Sequence, residues 1–136
     1  MEAGLAPEPP STQREEASLI DLSGVFIPAV TPFREDTGEI DIPAFKSNLR
    51  RWSQHPIRGV VIAGTTGEAV LLDKEERLAL VAAGKEALAP DLLLTVGTGL
   101  ESTRATVRLT RAVADVGADA VLVQPPAFFK GAMSPD

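Results

Sequence analysis

Four short apolar runs rich in Val, Ile, Leu and Ala punctuate this chain, at residues 25–30, 59–63, 92–96 and 120–123. Between them lie stretches with helical periodicity. Strands this short and apolar on both faces need cover on both, which marks a parallel sheet packed under helices. Ile42, Phe45, Leu49 and Trp52 give the first helical stripe, with Pro43 suited to its opening turn. Asp73 and Glu76 have capping-box spacing at the head of a second helix. Its inner face is expected to carry Leu78, Val81, Ala82 and Leu88 before Pro90 stops it. Ser102 opens a third helix, striped by Ala105, Leu109, Ala112, Val113 and Val116, and Gly117 closes it. The order is β-α-β-α-β-α-β.

Two architectures share that order, a (β/α)8 barrel and an open doubly wound sheet. No Gly-x-Gly-x-x-Gly follows the first run, which argues against a dinucleotide-binding sheet. The runs end instead in small polar residues: Thr31 after the first, Thr65 and Thr66 after the second, Thr98 after the third. A barrel builds its active face from residues at strand C-termini. The second run passes straight into Gly64-Thr65-Thr66-Gly67-Glu68. Its two glycines permit a tight turn that exposes backbone N–H groups, and its threonines add hydroxyl donors. Such a loop suits a small anion such as a carboxylate. Taken without their surroundings, Thr65 and Thr66 would serve a helix cap equally well.

Composition removes several classes of function. The formal charge is −6, which argues against a nucleic-acid or anionic-membrane partner. No apolar run approaches the ~20 residues of a membrane span. There is no cysteine, hence no disulfide and no thiol catalysis, and an intracellular setting fits. His55 is the single histidine, which rules out a multi-histidine metal site, and no cofactor or metal is expected. Residues 1–21 combine Pro7, Pro9 and Pro10 with Glu2, Glu8, Glu15 and Glu16 and are expected to form a disordered leader. With Arg14 alone against four glutamates, this is a tail rather than a mitochondrial address. The expected location is cytoplasmic, with mitochondria as the alternative. Residues 22–136 are expected to form the folded unit.

The motifs then converge. Residues 24–33 read G-V-F-I-P-A-V-T-P-F and residues 64–68 read G-T-T-G-E, followed by Leu71-Leu72 and Glu75-Glu76-Arg77. Next come G-T-G at 97–99, Ser102-Thr103-Arg104-Ala105-Thr106 and Gly117-Ala118-Asp119-Ala120. In that order they resemble the dihydrodipicolinate synthase / N-acetylneuraminate lyase family of pyruvate-dependent class I aldolases. The stretches L-E-S-T-R-A-T-V and F-F-K-G-A-M-S look most like its 4-hydroxy-2-oxoglutarate aldolase branch. The resemblance implies a (β/α)8 TIM barrel, built into homotetramers, that acts on pyruvate or another 2-oxo acid. It implies a Schiff-base lysine on the sixth strand and a proton-shuttling tyrosine on the fifth. By motif position, Thr65 resembles the proton-relay threonine and Thr66 the main carboxylate contact, with the backbone N–H of Gly67 beside them. An iminium withdraws electrons from the α-carbon and so permits carbon–carbon cleavage or formation.

A whole barrel takes about 250 residues. Here only about the first four strands and three helices are expected. The strands that would carry the shuttle tyrosine and Schiff-base lysine lie beyond residue 136. Lys46, Lys74 and Lys85 fall on expected helices, and Lys130 follows the fourth strand on the active face. All four are expected to be solvated, so these residues alone are expected to lack Schiff-base activity. Relatives often carry two tyrosines where Phe128-Phe129 stand here. Phe129 takes the second, relay position without a hydroxyl, which points to interface packing or to a water in its place. Glu68 is expected in the first turn after the loop, accepting backbone N–H bonds. His55 is expected at the surface, on the face of the barrel opposite the catalytic loops, Asp119 to be structural, and Trp52 to join the core. The alternative is a non-catalytic truncated subunit or partial gene product that binds a ligand or partner without turnover.

Overall fold

The computed structural model describes residues 19–128. Four strands alternate with three helices: β1 (Phe26–Pro28), α1 (Ile42–Trp52), β2 (Gly59–Ile62), α2 (Lys74–Ala87), β3 (Leu93–Gly97), α3 (Thr103–Val116) and β4 (Ala120–Leu122). A 3₁₀ turn, Ala69–Leu71, joins β2 to α2. The helix starts follow local chemistry. The Asp41 carboxylate accepts from the backbone N–H of Ala44 at 2.9 Å, with Pro43 in the first turn. Asp73 and Glu76 form the reciprocal box, each carboxylate accepting from the other's backbone N–H at 2.8 Å. Ser102 accepts from Ala105, and Gly117, with φ +120°, ends α3.

All strand pairs are parallel, and the sheet order is β1-β2-β3-β4. Each strand therefore lies beside the next one in sequence. A doubly wound dinucleotide sheet reverses direction at a switch point; this one does not, and the order is that of a barrel wall. Register aligns Ile27, Val60 and Leu94 in one row and Val61, Thr95 and Ala120 in another. Alternate residues then part to opposite faces. Val60, Ile62, Leu94 and Val96 are fully buried beneath the helices, against Phe45, Leu49, Leu80 and Val113. Phe26, Val61, Thr95 and Leu122 instead line an open apolar groove on the other face. Only one face is thus covered within the described residues.

The inner face of α2 matches its sequence expectation in part: Val81 and Leu88 are buried as expected. Ala82 is exposed and Leu78 only half-buried, while Arg77, Leu80, Val81, Gly84 and Ala87 are buried. The stripe was rotated because apolar residues alone defined it. Gly84 belongs to it because a Cβ there would lie only 3.1 Å from the Leu94 side chain. On α3, Leu109 and Val113 are buried as expected, and Val116 is exposed. Trp52 packs on the core, and His55 is exposed where α1 leads into β2. Asp119 is structural: its carboxylate accepts from the Leu94 N–H at 2.8 Å and from Lys85 at 3.4 Å, tying β3 to the start of β4. Asp21, the last residue of the expected leader, is anchored. Its carbonyl accepts from the Arg58 guanidinium at 2.8 and 3.0 Å. Residues 1–18 of that leader lie outside the described residues.

Candidate active site

The C-terminal ends of β2, β3 and β4 meet around a cavity of about 90 Å³. Ala63, Gly64 and Thr65 line it from β2, Gly97 and Gly99 from β3, and Gln124 from β4. Thr65 and Thr66 are both exposed, but only Thr65 faces this cavity, and Gly67 is buried behind it. The loop closes on itself through Glu68 N–H to Thr65 C=O at 3.1 Å and Ala69 N–H to Gly64 C=O at 3.2 Å. Among the described residues, the backbone N–H groups of Thr65, Thr66 and Gly67 donate to no protein acceptor. They are unpaired donors beside two hydroxyls, on exposed residues at Thr65 and Thr66 and on a buried one at Gly67.

The turn is not made where the sequence placed it. Its left-handed residues are Ala63, at φ +49°, and Glu68, at φ +56°, which bracket the motif. Gly64 and Gly67 have no positive φ. What Gly67 supplies is room: a Cβ there would lie 2.9 Å from the Ala29 carbonyl oxygen and 3.1 Å from the Ala63 nitrogen. The Thr31 hydroxyl donates to the Gly67 carbonyl at 2.7 Å and locks this close approach. Glu68 also departs from expectation, because its side chain makes no capping hydrogen bond. At φ +56° Glu68 lacks the extended backbone from which an N-cap side chain reaches the first turn.

The polar residues at the strand ends divide into two groups. Thr31 and Thr98 are buried braces. Thr98 accepts from the Thr110 hydroxyl at 2.9 Å, holding α3 to the end of β3. Thr65 and Thr66 are the open ones. Sequence reasoning missed Arg77. It is 3% exposed, and its guanidinium donates to the Gly97 carbonyl at 3.2 Å and to the Ala69 carbonyl. Both carbonyls belong to residues lining the cavity. Burial draws the Arg77 pKa below its ordinary value, and its positive charge stands behind the wall of the site. The sequence did carry a signal: Arg77 is three, four and seven residues before Leu80, Val81 and Gly84, on the buried stripe.

Glu101, in the loop after β3, accepts from the backbone N–H groups of Ala127 at 2.9 Å and Phe128 at 3.1 Å. It thereby ties down the loop after β4. Phe128 is exposed, and Phe129 and Lys130 lie outside the described residues. No cluster of three or more metal-ligating side chains is present among the described residues. No helix among them is long and apolar enough to cross a membrane.

Comparison with known proteins agrees with this architecture. The chain is 36% identical over 115 residues to a protein from Emericella nidulans named probable 4-hydroxy-2-oxoglutarate aldolase, mitochondrial, covering 82% of this chain and 37% of that one. It is 38% identical over 108 residues to the 4-hydroxy-tetrahydrodipicolinate synthase of Fervidobacterium nodosum, covering 79% and 36%. The structure of Proteus mirabilis N-acetylneuraminate lyase superposes with a TM-score of 0.73 at 30% identity, over 79% of this chain and 36% of that one. The chain thus spans little more than a third of the length of the relatives it matches. Its four strands and three helices correspond to the N-terminal portion of their TIM barrels. Residues 21–134 match the model of the dihydrodipicolinate synthetase family, and the chain belongs to that family of lyases and aldolases.

Proposed function

We propose that the loop at residues 64–68 is the carboxylate cradle of a Schiff-base lyase acting on pyruvate-derived 2-oxo acids. The observation that carries this reading is the row of open N–H donors at Thr65, Thr66 and Gly67, beside the Thr65 and Thr66 hydroxyls. Converging donors hold a carboxylate in one orientation, which accelerates reaction by positioning. Thr66 and the backbone of Gly67 bind the carboxylate, and Thr65 both binds it and relays protons. The name of the Emericella nidulans relative favours a 4-hydroxy-2-oxo acid as substrate. The whole enzyme works as a homo-oligomer in the cytoplasm, with mitochondria the alternative that the same name supports.

Pyruvate labelled with carbon-13 should broaden and shift on titration with the protein. Thr65→Val removes one hydroxyl donor and keeps the shape, and should weaken binding by about tenfold. An unchanged affinity would count against the cradle. The 136-residue polypeptide holds no tyrosine. Of its lysines, Lys46 is paired with Glu86 and Lys85 lies near Asp119. Borohydride treatment with labelled pyruvate should therefore leave no covalent adduct on this polypeptide. A stable adduct on Lys130 would overturn that assignment. A ligand-binding subunit without turnover is the second reading, and failure to trap an adduct would favour it for the isolated polypeptide.

A further inference from the structure

Gln124 is polar where the rest of its row is not. Ala120, Leu122 and Gln124 alternate along β4 and its extension; Ala120 and Leu122 line the open face of the sheet. Leu122 and Gln124 then line the cavity with Thr65. The Gln124 side-chain nitrogen Nε2 faces the Thr65 hydroxyl oxygen at 3.5 Å. That is the outer limit of a hydrogen bond, and hydrogen bonds at catalytic sites tighten in the substrate complex. The backbone beneath is held from two sides. Thr98 N–H donates to Leu122 C=O at 3.0 Å, and the Gly99 backbone is so close that a Cβ there would lie 2.7 Å from the Gln124 nitrogen. Glu101 fixes the residues that follow through Ala127 and Phe128.

From this geometry we infer that Gln124 is a positioning residue for the anion site. Its amide donates to the lone pair of Thr65, which turns the Thr65 O–H away from Gln124 and towards a bound carboxylate. A hydroxyl has one proton to give and two lone pairs that accept. Occupying one lone pair with an N–H donor leaves the proton free for the ligand. The inference rests on the carboxylate-cradle reading and adds the residue that orients its hydroxyl. The ligand class is the same 2-oxo monocarboxylate.

The test uses the 136-residue chain, labelled pyruvate, and three variants whose thermal melting is measured alongside. Gln124→Glu is isosteric but brings a negative charge and an acceptor where a donor stood. It should weaken pyruvate binding by about tenfold or more at pH 7, because like charges facing each other are strongly unfavourable. Affinity should recover as the pH falls towards the ordinary carboxylate value of about 4.3. Gln124→Leu should lose a smaller factor, with no such recovery, and Gln124→Asn should retain part of the affinity. A purely structural role would lower melting temperature in all three variants without a pH-dependent affinity in Gln124→Glu. Wild-type binding that is lost in Thr65→Val but unchanged in every Gln124 variant overturns the inference and leaves the cradle standing. Absence of pyruvate binding by the wild type overturns both.

Discussion

Gly97→Ala is expected to leave the chain without a cooperative melting transition. The added Cβ would sit 1.8 Å from the Ala63 carbonyl oxygen, 2.7 Å from its carbonyl carbon and 3.4 Å from the Gly64 nitrogen. All three are backbone atoms, so no side chain can rotate aside. Ala63 is already held at φ +49° and has little room to retreat. Relief requires β2 and β3 to separate at their C-terminal ends. That would strip the Arg77 contact to the Gly97 carbonyl and open the cavity. Overpacking in a core costs about 1–3 kcal/mol when side chains can adjust; a backbone-on-backbone collision exceeds that and belongs with the rare losses above ~4 kcal/mol. Circular dichroism during heating, with an amide nitrogen–proton spectrum at low temperature, would measure it. A melting temperature within a few degrees of wild type would refute the expectation. Gly64→Ala is the matched control, because its nearest neighbour is the Val61 Cγ1 at 3.6 Å.

Arg77→Met should have the second largest effect, and it should be felt at the site. Methionine keeps the apolar stem but takes the guanidinium donor from the buried Gly97 carbonyl and leaves the Ala69 carbonyl with only the Leu72 N–H at 3.3 Å. Each buried carbonyl left unsatisfied costs about 1–3 kcal/mol. A loss of that size lowers the melting temperature by on the order of 10 °C in a domain this small. The positive charge behind the cavity wall also disappears, so pyruvate affinity should fall at temperatures where the variant remains folded. Arg77→Lys should recover less than half of the stability, since one ammonium cannot reach two separate carbonyls as a planar guanidinium does. Equal melting of Arg77→Met and wild type in urea or heat would show that the guanidinium is dispensable.

The layout of strands and helices was legible because it rests on local rules. The capping residues Asp73 and Ser102, the stop at Gly117 and the stripe at Ile42, Phe45, Leu49 and Trp52 each act within a few residues. The parallel sheet followed from strands apolar on both faces. What stayed hidden depends on contacts between distant segments. The rotation of α2 follows from Leu94 lying against Gly84 and from a buried arginine, and neither shows in an apolar count. The loop motif was found, but the conformational burden falls on Ala63 and Glu68, which no propensity marks. Thr31 and Thr65 look alike in sequence, yet one braces Gly67 and the other faces the cavity. Gln124 and Glu101 could not be singled out, because both act across loops from different βα units.

The order of the strands bears on how this chain acquires its structure. Among the described residues, each strand pairs with its neighbours in sequence order, so these sheet contacts join segments close along the chain. Loop-closure entropy is then spent in small instalments, one βαβ unit at a time. The unit β2-α2-β3 holds most of the fully buried side chains, including Val60, Ile62, Leu80, Val81, Leu94 and Val96. It is the natural nucleus, to which β1 and β4, three residues each, add as the outer rungs. The Gly64–Glu68 loop springs from the centre of that nucleus, while Gln124 arrives with the last rung. If folding follows that order, the loop proposed as the anion cradle would form early, and the residue proposed to aim its hydroxyl would join late.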